Sequence, residues 1–94
     1  MKNDLENITR KINELRKIAK EEIVNVRKDI GLIIRDNKRD GREIENLLDH
    51  TLNLTLLGVG DKEFHELNDF YATFDLQGAE DYKIFYEEMT ERKY

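Results

Sequence analysis

Cysteine, proline, serine and tryptophan are all missing from this 94-residue chain. Without cysteine there is no disulfide framework, no thiolate zinc site and no cysteine nucleophile, and the absence suits a reducing compartment. Without serine there is no serine nucleophile, and no glycine-rich run matches a phosphate cradle. The longest apolar run is Ile30–Ile34, with a glycine inside it, far short of the ~18 residues of a membrane span. Asp4 and Glu6 interrupt the N-terminus where a signal peptide would carry its apolar stretch. These absences together predict a cytoplasmic protein that does not enter a membrane.

Aromatic residues are missing from positions 1–63, and all eight fall between Phe64 and Tyr94. Metal chemistry is sparse as well. Neither His50 nor His65 has an acid three residues before it, so the Glu-x-x-His element of di-iron bundles is absent, and no histidine pair stands at zinc-binding helical spacing. No catalytic residue, metal or cofactor is expected.

What is abundant is charge and helical periodicity. Charged residues make up 39% of the chain, a level common in long solvated helices. Leu5, Ile8, Ile12, Leu15, Ala19, Ile23, Val26, Ile30 and Ile33 recur at steps of three and four. At 100° per residue they fall within a sector of about 80°, nearer a coiled-coil seam than an ordinary buried face. The spacing predicts one helix over about residues 3–38, with Asn3 as N-cap, Glu6 as its third-position acid and Gly31 as the natural place for a kink. Such a helix would span roughly 54 Å, whereas a compact domain of this length is only ~30–35 Å across. The overhang calls for a partner, and a second copy of the chain is the expected one. Ile8, Ile12, Leu15, Ala19, Ile23 and Val26 are the candidate self-association residues. Leu32 and Ile34 leave the stripe, so the second half of the helix is expected to pack on more than one side and to build the local core.

Shorter helices are expected downstream. Asp40 with Glu43 is a capping signature opening a helix over about 41–57, closed by Gly58-Val59-Gly60. Asp61 is read as the cap of a third helix bearing Phe64, Leu67, Phe70, Tyr71 and Phe74. Asp75-Leu76-Gln77-Gly78 breaks the pattern before a fourth, with Tyr82, Phe85, Tyr86 and Met89 aligned. The fold class is therefore all-α, a single domain over 1–94. The alternative is a small α+β fold, because leucine alternates with threonine and asparagine over 51–57 in the period of a strand and 30–34 offers it a partner.

Charge is unevenly divided. Residues 1–40 carry 11 Lys/Arg and 8 Asp/Glu, a balance of +3, and residues 41–94 carry 5 and 13, a balance of −8. Arg10, Lys17, Lys28, Arg35 and Arg39 form a basic ridge opposite the apolar stripe, suited to an acidic partner or the acidic half of a second chain. Net charge −5 argues against strong non-specific affinity for nucleic acid. The helix after Gly60 is acidic where a DNA-recognition helix needs cations. Tyr82, Tyr86, Glu87 and Tyr94, set among acids, make a candidate partner surface, since tyrosine is favoured at interfaces. The function expected is non-enzymatic: a small adaptor, inhibitor or accessory subunit that binds itself and another protein.

A long first helix followed by shorter ones also resembles the all-helical chorismate mutases. Arg10, Arg27 and Lys38 have spacings similar to the cations of that family's first helix, and Arg42-Glu43 resembles the pair opening its second. The resemblance implies a small dimeric enzyme binding a dianionic substrate. The chain departs from the pattern in its apolar phase around Arg10, in the short loop before Arg42, and in having Glu87 or Glu88 where the family carries glutamine.

Overall fold

The computed structural model describes the backbone of residues 2–91 and the side chains of residues 4–91. Among these residues there are four helices and no strand: α1 Lys2–Arg35, α2 Gly41–Thr55, α3 Asp61–Ala72 and α4 Leu76–Glu91. The all-α reading holds, and the α+β alternative does not. The segment 30–34 is the last part of α1, which runs unbroken through Gly31.

Residues 51–55 are the last part of α2, which stops at Thr55 and not at Leu57, and they are helical because the threonines satisfy themselves. Thr51 Oγ1 donates to the Leu47 carbonyl at 2.7 Å and Thr55 Oγ1 to the Leu52 carbonyl at 2.6 Å. A hydroxyl bonded back into its own helix loses little on burial. Thr51 and Thr55 are accordingly buried together with Leu52 and Leu54. The period-two pattern reflects a helix packed on several sides, since α2 touches α1, α3 and α4.

Each helix end has a local cause. α1 stops at Arg35, short of Lys38, because Asn37 takes a left-handed conformation (φ 51°). Lys38 N–H then donates to Ile33 O at 2.9 Å and Asn37 N–H to Ile34 O at 3.2 Å, the paired bonds of a Schellman motif with asparagine in the place of glycine. Asn3 lies within α1, not before it, and its side chain falls outside the described residues. Asp40 caps α2 as expected, accepting from Glu43 N–H at 3.2 Å. At the other end Gly58 (φ 87°) repeats the Schellman pattern, with Val59 N–H on Leu54 O and Gly58 N–H on Thr55 O. Gly60, also left-handed, is the N-cap of α3, so Asp61 is the first helical residue and no cap. The break before α4 is narrower than the sequence suggests. Asp75 caps α4 through Gly78 N–H at 2.9 Å, and Gly78 lies inside the helix, where a Cβ would come within 2.7 Å of the Tyr71 hydroxyl.

One core joins the elements. Ala19, Ile23, Val26, Ile30 and Ile33 of α1 meet Ile44 and Leu48 of α2 and Phe64 and Leu67 of α3, and Ala79 and Tyr82 of α4 close the far side. Among the described residues α4 packs on α2 and α3 but not on α1. Arg27 of α1 reaches Glu63 of α3 at 2.9 Å. This buried glutamate lies in the first turn of α3, where the helix dipole also favours an acid. The molecule is drawn out, 52 × 25 × 18 Å, with a radius of gyration of 15.2 Å against about 12 Å for a compact chain of this length. The long dimension is α1 itself, since its 34 residues span roughly 51 Å.

Three tyrosines tie the downstream helices by hydroxyl–carboxylate bonds. Tyr71 OH lies 2.8 Å from Glu45 and 2.9 Å from Asp75, its single proton serving one at a time. Tyr82 OH donates to Asp49 and Tyr86 OH to Asp61, both at 2.8 Å. Burial first, and then these carboxylates, push all three phenols above their ordinary range. In the unfolded chain the same phenols ionise near pH ~10. Their contribution to stability is therefore complete below that pH and is lost as pH rises above it, because the unfolded state gives up protons the folded state retains. The melting temperature should fall steeply between about pH 9 and 11, with tyrosinate absorbance appearing together with loss of helicity. Tyr71→Phe should flatten that fall. Tyr94→Phe removes the fourth tyrosine of the sequence, and in that background tyrosinate appearing at pH ~10 in a still-folded chain would contradict the arrangement.

Candidate functional site: the uncovered half of α1

α1 is one helix with two fates. From Ala19 to Ile33 its apolar stripe is 1–4% exposed, covered by α2 and α3. Every residue from Asp4 to Ile18 is exposed. Within that stretch Leu5, Ile8, Ile12 and Leu15 continue the same stripe in phase and remain 41–68% exposed. The uncovered segment projects roughly 22 Å past the bundle, beyond the α2–α3 turn, where Gly60 approaches Ile23.

The six residues expected to mediate self-association therefore divide. Ile8, Ile12 and Leu15 are open to a partner. Ala19, Ile23 and Val26 are not, because the chain's own α2 and α3 occupy that face. The sequence has no mark at the division, as the stripe's chemistry is the same on both sides of it. Where α2 ends, set by Gly58, decides where cover stops.

The basic ridge is exposed at Arg10, Lys17, Lys28, Arg35 and Arg39. Its upper members Arg10 and Lys17 flank the uncovered segment beside Glu6 and Glu14, while Arg35 turns to Asp36 at 3.0 Å. The cations singled out by the mutase resemblance do not converge within one chain. Arg10 and Arg27 stand roughly 25 Å apart along α1, Arg27 is engaged by Glu63, and Lys38 lies 3.8 Å from Glu43.

The tyrosine surface is corrected more sharply. Tyr82 is buried, its hydroxyl turned onto α2 at Asp49. Tyr86 is half-buried, stacked on Phe64 with centroids 4.9 Å apart and bonded to Asp61. Glu87 is exposed beside Tyr86, and Tyr94 lies outside the described residues. The acids beside these tyrosines in sequence, Glu80, Asp81, Glu87 and Glu88, are exposed, and the hydroxyls bond instead to acids 33 and 25 positions away. Phe85, aligned with the core aromatics by spacing, is instead 49% exposed. It lines a groove between α2 and α4 with Asp49, Leu52, Asn53, Glu88 and Met89. That groove was not legible from periodicity, because Phe85 shares its helix with Tyr82 and only Tyr82 finds a polar partner inside.

The histidines serve locally. His50 lies 3.2 Å from Glu22, an α2–α1 contact, and His65 sits edge-on to Phe64 and Tyr86. Among the described residues no three His, Asp or Glu side chains gather where they would hold a metal ion, and no helix is long and apolar enough to cross a membrane. Comparison with protein-family models, with curated proteins and with solved structures finds no match to this chain.

Proposed function

We propose that this chain is a non-enzymatic interaction protein that self-associates, as a homodimer, through the uncovered half of α1 and presents an acidic helical body to another protein. One observation carries the reading. A row of four large apolar side chains, in phase with the core and rimmed by charge, stands free along a helix that its own chain does not cover. Contiguous exposed apolar rows of this kind mark interaction sites in proteins that otherwise stay dispersed. The bundle beneath has its own core, so association need not drive folding. The lack of cysteine suits work in the cytoplasm. Light scattering after size exclusion tests the reading, and the expected mass is twice the 11.2 kDa of one chain. A monomer at every concentration up to ~100 μM, weaker than a specific dimer of ordinary affinity, would dismiss it.

A further inference from the structure

Two surfaces are available to cover the free stripe in a second copy: that copy's own free stripe, or another part of its body. We infer that the uncovered half of α1 from one copy docks into the α2–α4 groove of the second; this rests on the self-association proposed above and names the surface that receives it.

Charge decides between the two surfaces. Residues 1–20 carry 6 Lys/Arg and 3 Asp/Glu, a balance of +3, so stripe against stripe brings two basic segments together. At 100° per residue, Lys11 and Arg16 border the stripe on opposite sides. The groove is of opposite sign: Leu52, Phe85 and Met89 are its apolar lining, and Asp49 and Glu88 stand with them. It belongs to the part of the chain with a balance of −8. The neighbouring groove between α1 and α2 offers less contrast, since Lys38 stands in it 3.8 Å from Glu43 and leaves Asp29 as its one further acid.

Geometry agrees with charge. Tyr82 meets α2 at Glu45 and Asp49, and Phe85 and Met89 follow beside Leu52 and Asn53, so α2 and α4 run in the same direction. Exposed Leu56 continues the Leu52 row by one turn. Leu52–Leu56 and Phe85–Met89 thus make two apolar rows, each with the one-turn spacing, roughly 6 Å, that separates Ile8 from Ile12. Met89 supplies an adaptable wall. Both rows end on the side of the bundle from which α1 projects, so two copies can exchange segments about a two-fold axis and close as a dimer.

The absence of cysteine makes the test direct. Two chains, I12C and F85C, are prepared separately, mixed and oxidised, with wild-type protein followed by sedimentation in parallel. Both substituted side chains are exposed, and circular dichroism checks that each variant retains its helicity. The expected result is that the mixed disulfide between the I12C and F85C chains forms at least tenfold faster than the I12C homodimer. Wild-type association should weaken about tenfold or more when salt rises from ~0.05 to 0.5 M, because opposite charges are screened. A dimer in which I12C links mainly to I12C, or whose association strengthens with salt, overturns the groove and leaves self-association standing. A dimer that gives neither disulfide overturns the groove as well. A monomeric wild-type chain overturns both readings.

Discussion

Ile12→Asp should abolish assembly and leave the bundle folded. Ile12 lies in the middle of the free stripe, exposed and beyond the reach of α2 and α3. In the single chain an aspartate there stays in water and costs little beyond a small loss of helix propensity. In the assembly the same carboxylate is driven into an apolar contact without a partner, which costs several kcal/mol. At about 1.4 kcal/mol per factor of ten, dimerisation should weaken at least a hundredfold. Light scattering should report 11.2 kDa, circular dichroism should be nearly unchanged, and the melting temperature should lose its dependence on protein concentration. Retained dimer in this variant would mean that the association surface lies elsewhere.

Ile23→Asp should destabilise the whole fold. Ile23 belongs to the same stripe, eleven residues further along, and is 4% exposed. Its Cδ1 lies against the position of a Cβ on Gly60, at 3.4 Å, so the site has no room to admit water without moving the α2–α3 turn. Removing the buried isoleucine costs about 2–5 kcal/mol, and leaving a carboxylate in its place adds the price of an unpaired buried charge. The total exceeds about 4 kcal/mol, against roughly 5–14 kcal/mol for a domain of this length. The melting temperature should fall by about 20 °C or more, at all protein concentrations alike. A variant that remains folded but monomeric would show instead that Ile23 serves the assembly and not the core.

These two outcomes separate residues that periodicity treats as equivalent. The stripe from Leu5 to Ile33 was legible because a three–four repeat of aliphatic residues admits few structures other than a helix. The Asp40–Glu43 cap and Gly58 as the close of α2 were legible from local turn chemistry, whereas Gly60 is the N-cap of α3, the place the sequence assigns to Asp61. That the second half of α1 builds the core was legible too, but the residue at which cover stops was not, because it depends on how far α2 runs back along α1. Asp75 and Gly78 were misread as a break because glycine in a first helical turn resembles glycine ending a helix. Here its purpose is steric, to admit the Tyr71 hydroxyl. The tyrosines were misread because hydrogen bonds between helices leave no periodic trace: Glu45, Asp49 and Asp61 look like solvated acids until Tyr71, Tyr82 and Tyr86 are found above them.

The unbroken course of α1 makes it a shaft shared by two gears. Because no hinge separates Leu15 from Ala19, the free row cannot turn without turning the buried row. Each residue of helix fixes 100° of rotation and about 1.5 Å of advance, so the bundle dictates both the bearing and the reach of whatever the shaft engages. Any event that rolls α1 within its socket, at Arg27–Glu63 or at the α2–α3 turn, would be delivered at the tip as a change of heading. In the proposed dimer such a segment would be an aligned coupling between the two bodies, and not a tether.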